Sequence, residues 1–131
     1  MGIARTELAL GNPVRRELAP VVVAALADTG AVHLCIPEHV AIQLKLMELE
    51  KREVTLADGS RKSMPYVGPV EIKFGNRRCF VGAMVMGDEV LLGAIPMEDM
   101  DLIVRPTSRE VLVNLANPNV PGSLAKLPNR S

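Results

Sequence analysis

The sequence contains no Trp, one Tyr and two Phe among its 131 residues. A core built on stacked rings is thereby excluded, and aliphatic side chains must fill it. Charge of one sign is missing too, since 15 basic and 15 acidic residues cancel. No global positive field is available to gather nucleic acid. Arg15-Arg16 and Arg77-Arg78 are pairs rather than patches, and read as solvated strand ends or turns. No long hydrophobic run exists. The longest, Val21 to Ala27 after Pro20, is about eight residues and too short to span a bilayer. Met1 to Glu7 carries Arg5 but no following apolar region with a cleavage site. The expectation is a soluble, cytoplasmic chain with neither membrane nor nucleic acid as partner. Cysteine is scarce, and Cys35 and Cys79 are expected to be reduced, buried thiols rather than a disulfide framework.

What is present points to strands. Hydrophobic residues make up 48% of the chain, which excludes disorder throughout. The length fits one domain with a small core, and the branched residues that dominate the apolar runs favour β-structure. Ala4 to Leu10 reads as a strand ending at Gly11-Asn12-Pro13, and Glu17 to Ala27 as a second. The continuous apolar content of the second predicts cover on both faces. Pro37-Glu38 predicts a short helix with Val40, Leu44 and Met47 on one face. Glu53 to Met64 predicts a hairpin turning at Asp58-Gly59. Val70 to Phe74, Arg78 to Met86 and Val90 to Leu92 predict further strands, the middle one central to its sheet. Pro96 is expected to begin a second helix with Glu98 and Asp99 in its first turn. Leu102 to Val104 and Glu110 to Leu115 complete a domain placed at residues 1–116. Residues 117–131 contain three prolines and are expected to form an extended or partly disordered tail. A weak internal repeat is visible: Gly30-Ala31 precedes a helix opened at Ile36-Pro37, and Gly93-Ala94 precedes one opened at Ile95-Pro96. It is consistent with an approximate two-fold inside one domain.

The tetrapeptide Asp28-Thr29-Gly30-Ala31 carries the candidate chemistry. An acid at the end of an apolar run is expensive unless it is hydrogen-bonded or functional. Gly30 permits a sharp turn, and the Thr29 hydroxyl can donate to or accept from a facing copy. An Asx-type turn after a strand accounts for the same four residues without any catalytic role.

In context, the chain resembles the retropepsin-like aspartic peptidases, and more closely their small prokaryotic members. The resemblance rests on Val21 to Ala27 feeding Asp28-Thr29-Gly30-Ala31, on the hairpin at Asp58-Gly59 where a flap would lie, and on Val90-Leu91-Leu92-Gly93 before a closing helix. Ala94 to Asp101 and the Asn117-Pro118-Asn119 tail are similar to the prokaryotic branch. The expected flap, Leu56 to Met64, has one glycine where viral flaps have several, and no Arg-Asp or Arg-Asn pair directly follows Leu92-Gly93. The resemblance implies an all-β acid-protease barrel, one lobe per chain, with one or two short helices. It implies Asp28 as the catalytic acid, Thr29, Gly30 and Ala31 as its supporting loop, and Ala57, Asp58, Gly59 and Ser60 at the flap. It implies a peptide or protein substrate, a homodimer that assembles the site, and no cofactor or metal.

Rival chemistries have weaker support. His33, Cys35, His39 and Cys79 do not match common zinc spacings. Nothing fixes a His beside either Cys to make a nucleophile. A phospho-acceptor Asp of the haloacid-dehalogenase kind wants a second Asp two residues on, where Gly30 stands. No Gly-rich phosphate loop exists. The seven Met read as core filling. The serious alternative is a peptide-binding or assembly module of the same fold with negligible catalysis.

Overall fold

The structure, a computed structural model, describes residues 3–119 and Pro121. Its elements are β1 (Ile3–Gly11), β2 (Val21–Asp28), β3 (Leu34–Ile36), α1 (Glu38–Gln43), β4 (Met47–Thr55), β5 (Arg61–Phe74), β6 (Arg77–Val85), β7 (Val90–Leu92), α2 (Ala94–Asp99), β8 (Leu102–Arg105) and β9 (Glu110–Val113). The all-β barrel with two short helices expected from the sequence is the observed architecture.

Six strands close on themselves in the order β1-β2-β7-β3-β6-β5, and β5 pairs back onto β1 through Ala9↔Lys73, Leu10↔Ile72 and Gly11↔Glu71. Closure removes the free edges that an open sheet of this size would present. That order is symmetric about its centre. β2 takes β7 in parallel, from Ala25↔Val90 to Ala27↔Leu92, and β6 takes β3 in parallel, from Leu34↔Ala83 to Ile36↔Val85. β3 and β7 then meet antiparallel at Cys35↔Leu91. The halves β1-β2-β3-α1 and β5-β6-β7-α2 are thus exchanged by an approximate two-fold. The repeat expected from the sequence is present with a different equivalence. Gly93 follows β7, whose counterpart is β3, whereas Gly30 follows β2, whose counterpart is β6.

The core is aliphatic, as the scarcity of rings requires. Leu8 and Leu10 on β1, Ala25 and Ala27 on β2, Val70 and Ile72 on β5, and Leu92 on β7 all point inward. Val40 and Leu44 from α1 and its end, and Met97 and Met100 from α2 and its end, join them. The β6 strand lies between β3 and β5, the central position its two-sided apolar pattern suggested. β4 is an outer strand paired to β5 alone, and its exposed face is charged: Glu48–Lys51, Glu50–Arg52 and Glu53–Arg61 form ion pairs. Charges of this kind blunt an edge against pairing with another chain.

Several local expectations are corrected. The second strand starts at Val21 rather than Glu17, because residues 13–18 form turns closed by Arg15 N–H to the Asn12 carbonyl and Leu18 N–H to the Arg15 carbonyl. Nor is it covered on both faces. Alternate residues face out of the barrel, and Val22 is 67% exposed. Met47 does not share the α1 face. Lys45 takes a positive φ of 50° that ends the helix, and Met47 opens β4 with 70% exposure. α2 begins at Ala94, two residues before Pro96, so Glu98 and Asp99 fall outside its first turn.

The β8–β9 hairpin is tied back by the residues that looked like a prokaryotic signature. Asp101 accepts from Asn114 Nδ2 at 3.1 Å through Oδ1 and from Asn117 Nδ2 at 2.9 Å through Oδ2. Asn114 N–H donates to the Asp101 carbonyl at 3.0 Å. Asn76 Nδ2 donates to the Pro118 carbonyl at 2.9 Å, so the start of the tail is fastened to the β5–β6 turn. The remainder of the expected tail, apart from residues 117–119 and Pro121, lies outside the described residues.

Candidate active site

Asp28 is the last residue of β2, half-buried, where the strand leaves its pairing with β1 and β7. Its Oδ1 accepts from the Gly30 N–H at 2.8 Å, and the Ala31 N–H closes the turn onto the Asp28 carbonyl at 3.1 Å. This is an Asx turn, and it fixes one carboxylate oxygen. Oδ2 takes no hydrogen bond from the described residues. Thr29 and Gly30 are exposed and Ala31 is half-buried. The four residues singled out by sequence therefore form one loop, with its acid held by backbone and one oxygen open.

The rigidity of that loop comes from the other half of the barrel. Ala94 N–H donates to the Ala31 carbonyl at 2.8 Å, and Ile95 N–H to the Val32 carbonyl at 2.9 Å. Gly93 allows this approach. A Cβ there would lie 2.4 Å from the His33 carbonyl oxygen and 2.6 Å from the Val32 carbonyl carbon. Both are backbone atoms and cannot swing aside. The Leu92-Gly93 pair thus has a steric reason to be where it is, independent of any resemblance. Gly93→Ala is expected to lose about 3 kcal/mol of stability, at the upper end of overpacking costs, because the clash is with hydrogen-bonded backbone. Urea unfolding measures it, and a loss under about 0.5 kcal/mol, the range of an ordinary surface change, would contradict the close packing.

The hairpin expected to be the flap is β4–β5, longer than the sequence indicated. Its tip is a tight turn: Gly59 N–H donates to the Leu56 carbonyl at 2.9 Å and Leu56 N–H to the Ser60 carbonyl at 2.8 Å, with Gly59 at φ 87°. Asp58 Oδ1 accepts from Ser60 Oγ at 2.6 Å and from Ser60 N–H at 2.9 Å, while Ala57 is part of the same turn. The Ser60 hydroxyl, and then its N–H, hold the Asp58 carboxyl below its ordinary value. Since the folded-state pKa is depressed, the support this group gives the turn is present above its unfolded value and disappears as pH falls through the lowered one. A titration followed by the Ser60 amide resonance is expected to have its midpoint below that of an ordinary Asp, and Ser60→Ala should move it back up. An unchanged midpoint in Ser60→Ala would refute this account of the tip.

One cluster was missed by sequence reasoning. Tyr66 on β5 lies over Gly82, where a Cβ would meet its ring at 2.2 Å. The Arg52 guanidinium sits 3.7 Å from the Tyr66 ring centroid, and the His33 ring stands edge-on at 6.1 Å. A cation over an aromatic face is attracted to it, so Tyr66 joins β4 to the barrel. Together with Phe80 and Ile95 these residues line a cavity of about 410 Å³ that joins the base of the hairpin to the segment after Asp28. The signal was available: Tyr66 is the sole Tyr in a chain nearly devoid of rings.

Burial pushes the Cys79 thiol up to about 12, with Asp99 adding to the shift, and burial also raises Cys35. Neither is a thiolate near neutral pH. No group of three His, Cys, Asp or Glu able to hold a metal ion occurs among the described residues. No described helix is long and apolar enough to cross a membrane.

No family model and no curated protein matches the chain. Among solved structures, the chain is similar to the protease of Simian Foamy Virus (mac), with a TM-score of 0.45 and 16% identity, over 70% of this chain and 91% of that one.

Proposed function

We propose that this protein is an aspartic endopeptidase whose active site forms when two copies bring their Asp28 carboxylates together. The observation that carries the reading is the Asp28 loop itself. Its acid is oriented by the Gly30 N–H, keeps Oδ2 free, and is braced through Ala31 and Val32 by the strand-exchanged second half of the barrel.

The chemistry follows from electrostatics. Two carboxylates held close cannot both ionise cheaply, so they share one proton and titrate as a pair. The ionised member takes a proton from a water. The protonated member polarises the carbonyl of the peptide bond, and the water adds to its carbon. The tetrahedral species then collapses as the amine leaves with a proton. The exposed hairpin tip at Ala57, Asp58, Gly59 and Ser60 acts as the flap that covers bound peptide, and the cavity beside Tyr66 offers room for a substrate side chain.

Incubation of the concentrated protein with an unstructured polypeptide near pH 5, in parallel with Asp28→Asn, tests the reading. Cleavage by the parent and none by the variant supports it. Peptide binding without cleavage by either would favour the assembly-module alternative.

A further inference from the structure

The corner where β5 turns into β6 carries two electrostatic costs that the described residues offset only in part, Arg78 being paired with Glu71 and lying 5.7 Å from the Phe80 ring centroid. Lys73 and Arg78 are direct partners across the two strands, so like charges stand opposite one another. That arrangement destabilises a sheet. Beside them Arg77 is 1% exposed, with its Nη2 donating to the Asn117 carbonyl and no acceptor for Nε or Nη1. A buried cation without a carboxylate is costlier still. The one acid engaged here is Glu71, which is buried and divided between Arg16 at 2.9 Å and Arg78 at 3.3 Å. Among the described residues Glu71 pairs with Arg16 and Arg78, and no acid pairs with Lys73 or Arg77.

These groups converge on a concavity. Lys73, Arg77 and Arg78, with Gly75, Asn76 and Pro121, line a cavity of about 420 Å³. None of them belongs to the Asp28 loop or to the hairpin tip. We propose that this cavity binds a small oxyanion of the phosphate class. A doubly charged tetrahedral anion offers acceptors to the Lys73 ammonium and to the Arg78 donors that Glu71 leaves unused. It would separate the opposed pair with negative charge. The Arg77 charge in the wall acts through a medium of low dielectric, where its attraction is weakly screened. One missing partner then accounts for the opposed pair, and the buried Arg77 charge adds to its attraction.

Calorimetric titration and thermal melting with inorganic phosphate at pH 7 test the site, with sodium chloride at matched ionic strength and sodium acetate as separate arms. A saturable isotherm and a phosphate-specific rise in Tm are expected. Lys73→Gln, a change at the exposed rim, should bind phosphate about tenfold more weakly, the loss of one charge-assisted hydrogen bond. Arg77→Met should also weaken binding. It should remain folded, because replacing an unpaired buried charge by an apolar chain of similar volume is neutral or stabilising. Should Arg77→Met fail to fold, Lys73→Gln decides alone. An equal response to chloride or to acetate, or a Lys73→Gln variant that binds as tightly as the parent, would overturn the proposal.

Discussion

Asp28→Asn is expected to lower the rate of peptide hydrolysis by at least about a thousandfold, the range contributed by a positioned general acid–base group. On the barrier scale that is roughly 4 kcal/mol, at about 1.4 kcal/mol per decade. The variant isolates chemistry from folding. Asn keeps a carbonyl oxygen at the position of Oδ1, so the 2.8 Å bond from Gly30 N–H survives, and among the described residues Asp28 has no ion pair whose loss would leave a partner stranded. What Asn lacks is the capacity to hold or share a proton. Melting temperature and the amide spectrum should therefore stay close to the parent while turnover disappears. An Asn variant that digests an unstructured protein at the parental rate would remove Asp28 from the mechanism, whatever the fold.

Patterns set by short-range physics were legible in the sequence. Alternation along Val70, Ile72 and Phe74 gave a strand, and Asp58-Gly59 gave a turn whose φ at Gly59 requires glycine. The Asp28 loop could be named because strand, acid and glycine are contiguous. What could not be read was anything set by strand exchange. That Ala94 and Ile95 reach over to Ala31 and Val32 depends on β7 inserting beside β2, more than 60 residues away in sequence, and no local pattern encodes such a register. The same reason hid the stacking of Arg52, Tyr66 and His33, drawn from three separate segments. Val21 to Ala27 misled for a simpler cause. Continuous apolar sequence signals two-sided cover, yet Val22 points away from the barrel with nothing described over it. Arg77, expected with Arg78 at a solvated strand end or turn, is instead 1% exposed, and Glu71 was passed over; charged residues are rarely buried, and a strand pattern gives no warning when they are.

Dilution is expected to abolish activity faster than in proportion to concentration. The chemistry proposed for Asp28 needs two carboxylates, and this chain supplies one acid followed by Thr-Gly. Asp58 cannot serve as the second. It precedes Gly directly and is committed to the Ser60 hydroxyl and N–H at the hairpin tip. Asp101 is tied to Asn114 and Asn117, and Asp99 lies at the end of α2. Among the described residues the internal two-fold does not provide one either: the counterpart of the Asp28 loop is the segment following β6, where Met86-Gly87-Asp88 carries its acid after the glycine, not before a Thr-Gly. A second copy related by a two-fold axis is the remaining source, and such an interface is isologous. Specific activity should then follow the fraction of dimer as protein is diluted through the dissociation constant. Mixing adds an independent check. When parent and Asp28→Asn are combined in equal amounts and allowed to exchange subunits, only about a quarter of random dimers carry both acids, so activity should settle near about half that of the same parent left unmixed. Sedimentation showing a monomer under conditions of full activity, or a mixture whose activity never falls, would end the dimer claim and with it the shared-carboxylate mechanism.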